Sequence, residues 1–315
     1  MMHHDTVMEF QVVCGQEVNF MLVSDVKLGW RRSPQTARGH GPVRTVAVTG
    51  GKGGVGKTSI AVNLALGLAR DGDRVMLLDA DLGMANVDDL LGLYARSSLL
   101  NVLRGELQLE DIIINGPGDL MVIPAACGIS QLTELGTAEC ASIVRVFSEL
   151  KHRIDTLVID TASSISECVA SFCAASSEVL VVIDNEAASL SGAIGLINRL
   201  HTGYGVARYH VIANRVQTAR EGDEIFARIL NLLVDQHDVL VSYAGFVPGD
   251  DSLSLAVLQH QAVIDAFPRS RSAMALRNLA RRVGGWPRQN SPRGHLEFFI
   301  ERLIHQNNVE MEVTS

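Results

Sequence analysis

A glycine-rich segment between an apolar run and a helix-like run constrains the fold of this chain more than any other feature. Residues 50–58 read Gly-Gly-Lys-Gly-Gly-Val-Gly-Lys-Thr, after the apolar run 45–49 and before the helical pattern of residues 59–65. Glycines let consecutive backbone N–H groups approach a phosphate closely, because no Cβ atom stands in the way. A strand, this loop and a helix N-terminus together predict a site for a nucleoside triphosphate with Mg²⁺.

Two lysines and a threonine are the charged and hydroxyl side chains of this loop. We expect Lys57 to contact the β- and γ-phosphates and the Thr58 hydroxyl to bind Mg²⁺. A phosphate-binding loop needs only the lysine at position 57, so Lys52 is unusual, and a solvent-exposed loop lysine is the alternative interpretation. The residues of this segment predicted to bind nucleotide are Gly51, Lys52, Gly53, Gly54, Val55, Gly56, Lys57, Thr58 and Ser59.

With its second lysine, the loop resembles the deviant Walker A family, which includes the septum-placing MinD, the plasmid-partition ParA and the nitrogenase iron-protein ATPases. The resemblance implies an enzyme that hydrolyses ATP to ADP with Mg²⁺ and forms a homodimer when ATP binds. It also implies that Lys52 crosses the dimer interface to the phosphates bound by the other subunit. Lys52 and Lys57 are then both expected to serve catalysis.

A second segment that fits this resemblance follows the next apolar run. Residues 77–88 look like the family's first switch, in which the second aspartate, Asp81, orients the attacking water. Holding one water in line with the γ-phosphate suits a reaction that depends mainly on positioning and charge neutralisation. Asn86 is then expected near the phosphates of the other subunit, whereas Asp79 fits a structural role at the end of its strand.

Another apolar run, residues 156–159, ends in Asp160. An aspartate at the carboxyl end of a buried strand is what a doubly wound sheet places beside its ligand. By resemblance, Asp160 is the carboxylate that holds water bound to Mg²⁺. The predicted metal site therefore consists of Thr58, Asp81 and Asp160.

Two loops depart from the family pattern. Residues 160–164 read Asp-Thr-Ala-Ser-Ser, where relatives usually have a glycine-containing loop that responds to the γ-phosphate. Without glycine, positive φ becomes costly. The free-energy difference between the open and closed states of the loop is therefore expected to differ from that in relatives. Residues 184–189 read Asp-Asn-Glu-Ala-Ala-Ser, where relatives usually have a Pro-Thr-Ser sequence. These changes predict slow or differently regulated hydrolysis, and an ATP-binding pseudoenzyme that acts as an interaction module is an alternative.

The order of apolar runs predicts the fold class and the domain organisation. After the first strand, the runs are residues 74–78, 120–123, 156–159, 179–183, 209–213 and 240–243. Separated by helical periodicity, they predict an α/β fold, a doubly wound, mostly parallel sheet with helices on both faces, as in P-loop NTPases. We expect an N-terminal extension over 1–42, one ATPase domain over 43–288, and a C-terminal amphipathic helix and tail over 289–315.

Asn214 directly follows one of these strands and resembles the adenine-reading asparagine of the family. Its amide can accept a hydrogen bond from the exocyclic amine and donate one to a ring nitrogen. The alternative is an asparagine that simply ends a strand. Pro248 follows the last strand and is predicted to help shape the base pocket.

Composition excludes several classes of protein. The five cysteines include no Cys-x-x-Cys pair, and their odd number argues against a disulfide framework. Cys168 and Cys173 are five residues apart on a predicted helix and so do not share a face, which argues against an iron–sulfur protein. The net charge of -8 argues against broad non-specific DNA coating, and with it against the alternative of a ParA-type DNA segregation ATPase. Without a signal peptide or a long apolar span, the chain is expected in the cytoplasm.

An apolar stripe in the C-terminal stretch predicts an amphipathic helix. Its members at helical spacing are Leu296, Phe299, Ile300, Leu303 and Ile304, whereas Glu297, Glu301 and Arg302 fall mainly on the other face. Such a helix can lie in a membrane interface or dock in a groove of its own domain. If ATP-driven dimerisation releases the helix from its groove, each dimer carries two weak membrane anchors, and two anchors bind a membrane far better than one.

With this tail, the chain resembles the flagellar-number regulators of the MinD-like group, called FlhG or FleN. The most specific parts of the resemblance are residues 266–270 and the Pro-Arg-Gly-His-Leu-Glu-Phe-Phe stretch of residues 292–299. It implies an ATPase that limits flagellar number through a flagellar master transcription activator and a signal-recognition-type GTPase. A position at the inner membrane or the cell pole would suit this role.

The N-terminal extension lies outside the resemblance. Residues 10–14 and 18–23 predict a short hairpin across Gly15, followed by an arginine-containing linker. A disordered arm is the alternative.

Overall fold

The computed structural model describes residues 42–81, 86–125, 136–163, 165–234, 238–289, 291–293 and 296–300. Within these ranges one eight-stranded sheet is formed by β1 (Arg44–Thr49), β2 (Val75–Ala80), β3 (Ile114–Asn115), β4 (Met121–Ile123), β5 (Thr156–Thr161), β6 (Glu178–Ile183), β7 (Arg208–Val216) and β8 (Leu240–Pro248). The strand order is β3-β4-β2-β5-β1-β6-β7-β8. Only β3 and β4 pair in antiparallel fashion within this sheet of the described residues.

Strand β1 lies where the strand order reverses, between β5 and β6. Val48 pairs with Asp160 of β5, and Thr49 pairs with Val181 of β6. The loops that follow these three strands therefore meet at one edge of the sheet. In doubly wound folds this reversal point is where the ligand binds.

Helices cover both faces of the sheet. The described residues form α1 (Lys57–Arg70), α2 (Val87–Leu90), α3 (Leu99–Leu103), α4 (Thr137–Val146), α5 (Glu167–Ala175), α6 (Ala187–Tyr204), α7 (Ala219–Leu232), α8 (Asp251–Leu258), α9 (Val263–Ala266) and α10 (Arg271–Gly284). Val46 and Val48 of β1 face the core under α1 and α10, whereas Ala47 faces α5, α6 and α7. This alternation along a fully buried strand is why the run reads as continuously apolar.

The predicted fold class is confirmed, and all seven predicted strands are present. Several strands run further than their apolar runs, and β8 continues from the predicted end at Tyr243 to Pro248. Strand β3 was not predicted, because two residues on a sheet edge leave no periodic pattern. The domain boundaries stay predictions, and the hairpin expected over residues 10–23 lies outside the described residues.

The expectation from cysteine counting is wrong for one pair. Cys140 of α4 and Cys168 of α5 form a disulfide, with Cα atoms 5.5 Å apart. These two residues lie on neighbouring helices, 28 residues apart in the chain, so neither the number of cysteines nor their spacing along one helix indicates the pair. Cys173, also on α5, is a buried free thiol. Cys14 and Cys127 lie outside the described residues.

The predicted C-terminal helix is wrong over its first residues. Residues 296–299 are irregular, Phe299 has a left-handed φ of 58°, and within the described tail residues only Ile300 is helical. Glu297 is 2% exposed rather than on a solvent face, because its carboxylate accepts hydrogen bonds from Gln289 and Arg293. Helical spacing alone does not detect this tertiary packing. Leu303 and Ile304 lie outside the described residues.

The described part of the tail docks on its own domain. Phe298 and Phe299 are buried, and Leu296 packs against the same apolar cluster as Ile143 of α4. This agrees with the groove-docking alternative for these residues. Within the part of the chain that the structure covers, no helix is both long and apolar enough to cross a membrane.

Candidate functional site

Backbone contacts shape the loop between β1 and α1. Gly54 and Gly56 have φ angles of 75° and 94°, in the left-handed region that glycine tolerates best. A Cβ atom on Gly51 would lie 1.9 Å from the carbonyl carbon of Gly192 in α6. A side chain is therefore excluded at Gly51, and the loop rests against α6. This loop, called the cradle, is the segment for which the sequence predicts phosphate binding.

The other predicted loop residues differ in how far they are exposed to solvent. Gly53 and Gly54 are exposed at its rim, and Val55 is buried beneath it. Thr58 and Ser59 lie in the first turn of α1 and are partly exposed. The helix N-terminus and the loop amides thus face the same space, which favours an anionic ligand.

Lys57 points into the site. Its side chain is largely buried, and its Nζ atom donates a hydrogen bond to Ser163 Oγ at 2.5 Å. Burial lowers the pKa of Lys57, whereas the nearby carboxylates of Asp160 and Asp81 act to raise it. Ser163 belongs to the glycine-free loop after β5, so this departure from the family pattern supplies the lysine with a partner before any phosphate arrives.

Asp160 is buried at the end of β5, beside the start of α1. Burial, with a smaller contribution from the charge of Asp81, raises its pKa to about 7, although the hydrogen bond from the Thr58 hydroxyl and the charge of Lys57 act to lower it. Its Oδ1 atom is buried with no hydrogen-bond partner among the described residues. Since buried polar atoms nearly always have partners, this oxygen fits a site for a cation or for water bound to one.

Asp79 fixes the backbone at both ends of the first switch. Its carboxylate accepts hydrogen bonds from the backbone N–H groups of Asp81 at 3.0 Å, Asn86 at 3.1 Å and Val87 at 3.2 Å. Burial raises its pKa, and Asp160 raises it further. Asp79 thus has the structural role that its position suggested. It ties both ends of the switch together, with Asp81 left at the site and Asn86 at the start of α2.

Lys52 does not point into its own phosphate cradle. Its Nζ atom forms an ion pair with Glu186 Oε2 at 2.5 Å, with side-chain exposures of 27% and 63% for the two residues. The hydrogen bond and charge of Lys52 lower the pKa of Glu186. Glu186 lies in the second departing loop, directly before α6. An exposed ion pair contributes little to stability, so Lys52 is easily released.

Asn214 lies under the loop at the end of β7. Its Nδ2 atom donates to the Val55 carbonyl at 2.7 Å, and a Cβ atom on Gly56 would lie 2.4 Å from that nitrogen. Its Oδ1 atom is buried and has no hydrogen-bond partner within the described ranges. The predicted pairing through both amide atoms therefore reduces, in this conformation, to an acceptor.

Pro248 lies beside this position, because Asn214 pairs with Val247 in the sheet. The next acidic residue, Asp250, caps α8 and also accepts hydrogen bonds from the backbone and hydroxyl of Ser272. Burial acts to raise the pKa of Asp250, but the hydrogen bonds from Ser272 and Ser252 outweigh it and lower the pKa to about 2. Asp250 is therefore committed to fixing α8 against α10.

Asp160→Asn is expected to remove a pH-dependent loss of stability from the nucleotide-free protein. The Asp160 pKa rises from the model-compound value of 3.8 to about 7 in the fold, so between these values the folded state binds more protons. The free energy of unfolding therefore falls as the pH rises through this window. From about pH 5.5 to about pH 7.5 the wild type should lose about 2 kcal/mol through this group.

Urea unfolding in EDTA at the two pH values measures this loss. The Asp160→Asn variant should retain only the part contributed by Asp79, whereas the exposed control Asp71→Asn should behave as the wild type. An unchanged pH dependence in Asp160→Asn would contradict the prediction.

Three contacts at the site were not predicted. Ser163 and Glu186 were recognised as departures from a pattern, but the sequence gave no sign that they contact Lys57 and Lys52. Gly192 carried no signal, because a glycine within a helical run says nothing about which backbone lies against it. The structure does bring Lys57, Thr58, Asp81 and Asp160 together, as the strand ends indicated.

Comparison with known proteins agrees with this geometry. Residues 43–207 match the model of a family described as an AAA domain. The chain is 45% identical over 263 residues to the antiactivator FleN of Pseudomonas aeruginosa, covering 84% of this chain and 94% of that protein. It is 27% identical to the flagellum site-determining protein YlxH of Helicobacter pylori, over 76% of this chain and 81% of that protein.

A solved structure shares the fold. The septum site-determining protein MinD from Pyrococcus horikoshii, complexed with Mg-ADP, superposes with a TM-score of 0.65 and 25% identity, covering 77% of this chain and 96% of that one. The same family is indicated by the phosphate-binding loop, its two lysines, the strand order and the relatives. The chain belongs to the MinD/ParA family of P-loop ATPases, in its FlhG/FleN-type group.

Proposed function

We propose that this protein is a dimerisation switch that ATP turns on and its own hydrolysis turns off, acting in the control of flagellar number. Membership in the family establishes the coarser statement, a MinD-like ATPase of the flagellum-regulator group. The observation that supports the finer statement, the dimerisation switch, is the position of Lys52. This lysine is part of the phosphate loop, yet it rests on Glu186 at the surface while Lys57 fills the cradle.

The residues present fit ATP with Mg²⁺. The loop amides and the N-terminus of α1 border one space, and buried acceptors at Asp160 and Asn214 lack hydrogen-bond partners among the described residues. When bound, Mg²⁺ neutralises phosphate charge and orients the transferred group. We propose that the Thr58 hydroxyl binds the ion and that Asp160 and Asp81 hold water around it.

The side chains of the chain then have separate tasks. Lys57 exchanges Ser163 for phosphate oxygens, which frees the glycine-free loop. Asp81 holds the attacking water, because its neighbour Asp79 fixes the backbone from which it projects. Lys52 leaves Glu186 and reaches the phosphates of a second subunit, where Asn86 also contributes. Placing two subunits' groups around one triphosphate makes hydrolysis depend on the dimer.

The biological role is proposed from the relatives. One is named an antiactivator and another a flagellum site-determining protein. We propose that the ATP dimer binds a flagellar master transcription activator and a signal-recognition-type GTPase. We further propose that the protein acts from the cytoplasm and associates peripherally with the inner membrane or cell pole through its C-terminal segment. Direct DNA binding is not part of the proposal, since the net charge is -8.

Turnover per subunit, measured as protein concentration is raised through the low micromolar range, tests the switch. A rate that climbs with concentration, in step with a monomer-to-dimer shift in light scattering, supports an active site completed by two subunits. A rate that is independent of concentration would overturn the dimer requirement, and a rate near zero with ATP bound would mean a binding-only regulator.

Glu186→Gln is expected to strengthen ATP-dependent dimerisation about two- to fivefold, because it removes the charge that holds Lys52 within its own subunit and exposed ion pairs are weak. Sedimentation with a non-hydrolysable ATP analogue measures the dimer dissociation constant. Glu221→Gln, another partly exposed carboxylate near the same loop, is the matched control. A weaker dimer in Glu186→Gln would show that Glu186 supports the interface instead.

A further inference from the structure

The disulfide between α4 and α5 lies next to the groove that holds the C-terminal segment. Phe147 follows the end of α4, two turns beyond Cys140, and Phe172 lies one turn beyond Cys168 on α5. Positions four and seven residues apart share one side of a helix, so each cysteine faces the same way as the phenylalanine on its element. The disulfide and the two rings therefore line the same seam between α4 and α5.

The rings of Phe147 and Phe172 pack against the tail segment, which comprises residues 296–300. The Phe298 ring lies 5.2 Å from that of Phe147, edge to face, and 6.3 Å from that of Phe172, stacked. The Phe299 ring lies 5.9 Å from that of Phe147. Aromatic pairs at these separations are favourable and depend on geometry. Holding the tail segment thus requires both walls, one on each helix.

The two walls are attached to the tail differently. On the α5 side, the Phe298 N–H donates to the Ala175 carbonyl at 3.2 Å, and Arg293 donates to the carbonyls of Ala174 and Ser176 at 3.2 and 2.6 Å. On the α4 side, the described contacts include the ring of Phe147 and the surrounding apolar side chains. Because the tail is hydrogen-bonded to the α5 side, the position of the α4 wall relative to the tail depends on what ties α4 to α5.

The tail segment is also held in a costly conformation. Phe299 has a φ of 58°, in the left-handed region where bulky side chains are rarely found. Such a conformation persists only while the surrounding packing imposes it. A small opening between the walls is thus expected to release the segment rather than to loosen it gradually.

We infer that Cys140 and Cys168 are a reversible thiol–disulfide site that sets how firmly the tail segment is held. Cys140 is fully buried and Cys168 is half-buried, so an attacking thiol reaches the Cys168 sulfur first. When the bond is formed, the α4 and α5 walls are fixed at the separation that clasps Phe298. When it is reduced, α4 moves relative to α5 and the tail segment leaves the groove.

The reaction partner is a low-molecular-weight thiol and its disulfide, such as glutathione. Oxidised glutathione takes two electrons and two protons from the cysteine thiols, which forms the Cys140–Cys168 bond and releases two glutathione molecules. In reduction, a glutathione thiolate attacks the Cys168 sulfur, which forms a mixed disulfide and releases Cys140 as a thiolate that takes up a proton. A second glutathione thiolate then attacks the glutathione sulfur of the mixed disulfide, which forms oxidised glutathione and releases Cys168 as a thiol after protonation. The inference concerns the tail alone, and it holds whether or not ATP drives dimerisation.

Hydrogen exchange of the full-length wild type in two glutathione buffers tests the inference without any substitution. Peptide mapping under non-reducing conditions should find Cys140 joined to Cys168 in the oxidised buffer and both thiols free in the reduced one. The amide of Phe298 should exchange about tenfold faster or more in the reduced protein, since local opening then costs less. Melting temperature should rise by about 5–10 °C on oxidation.

Substitutions separate this site from the other cysteines. Cys168→Ser should exchange as the reduced protein in both buffers, whereas Cys173→Ser, a buried free thiol on the same helix, should respond as the wild type. Cys140→Ser gives an independent second variant. The inference is overturned if mapping finds Cys140 and Cys168 unpaired in the oxidised buffer, or if the bond forms and tail exchange is the same in both buffers.

Discussion

Asp81→Ala should lower ATP turnover about 100-fold or more while ATP still drives dimerisation. Asp81 projects from backbone that Asp79 fixes, beside the buried carboxylate of Asp160 and the start of α1. Removing its carboxylate takes away the group assigned to the attacking water but leaves the backbone cradle intact. Single-turnover phosphate release and light scattering with ATP measure the two effects.

The matched control for this variant is Asp89→Ala, an exposed carboxylate on the short helix that follows the same switch. Its turnover should stay within about twofold of the wild type, as for most surface substitutions. If Asp81→Ala hydrolyses ATP at the parent rate, Asp81 has no role in positioning water.

Lys52→Ala should abolish the ATP-dependent dimer and lower turnover about 100-fold, because groups supplied across an interface to a transferred phosphoryl carry large effects. ATP affinity should stay within about threefold, since Lys57 and the loop amides make the cradle contacts. Light scattering with ATP, together with equilibrium binding of a fluorescent ATP analogue, separates the two properties.

Lys151→Ala is the control, since Lys151 is an exposed lysine outside the site. Its dimerisation and turnover should match the wild type. A dimer that survives in Lys52→Ala would refute the action of Lys52 across an interface and leave it as a surface lysine paired with Glu186.

The parts of the molecule that sequence predicted well are those set by local pattern. Buried parallel strands read as apolar runs, so the sheet followed from the seven runs between residues 45 and 243. The loop followed from residues 45–65, because a glycine-rich segment between a strand and a helix has few structural alternatives. Asp160 was identifiable because it directly ends a strand.

The parts that were missed depend on contacts between distant segments. Cys140 meets Cys168 because α4 packs on α5, and Glu297 is buried because Arg293 and Gln289 reach it. Ser163 became a partner of Lys57 only through the register of β1 with β5. None of these pairings leaves a period or a motif in the chain, since each is decided by packing.

The contact between Gly51 and Gly192 has a consequence for how the ATPase cycle is run. Because α6 packs against the phosphate loop at Gly51, part of the loop's shape is fixed by the fold itself. We expect nucleotide exchange to leave this part of the loop unchanged, with the changes of state carried by side chains that swap partners at its two lysines. The two glycines are also coupled, since a side chain at either position requires α6 to move away.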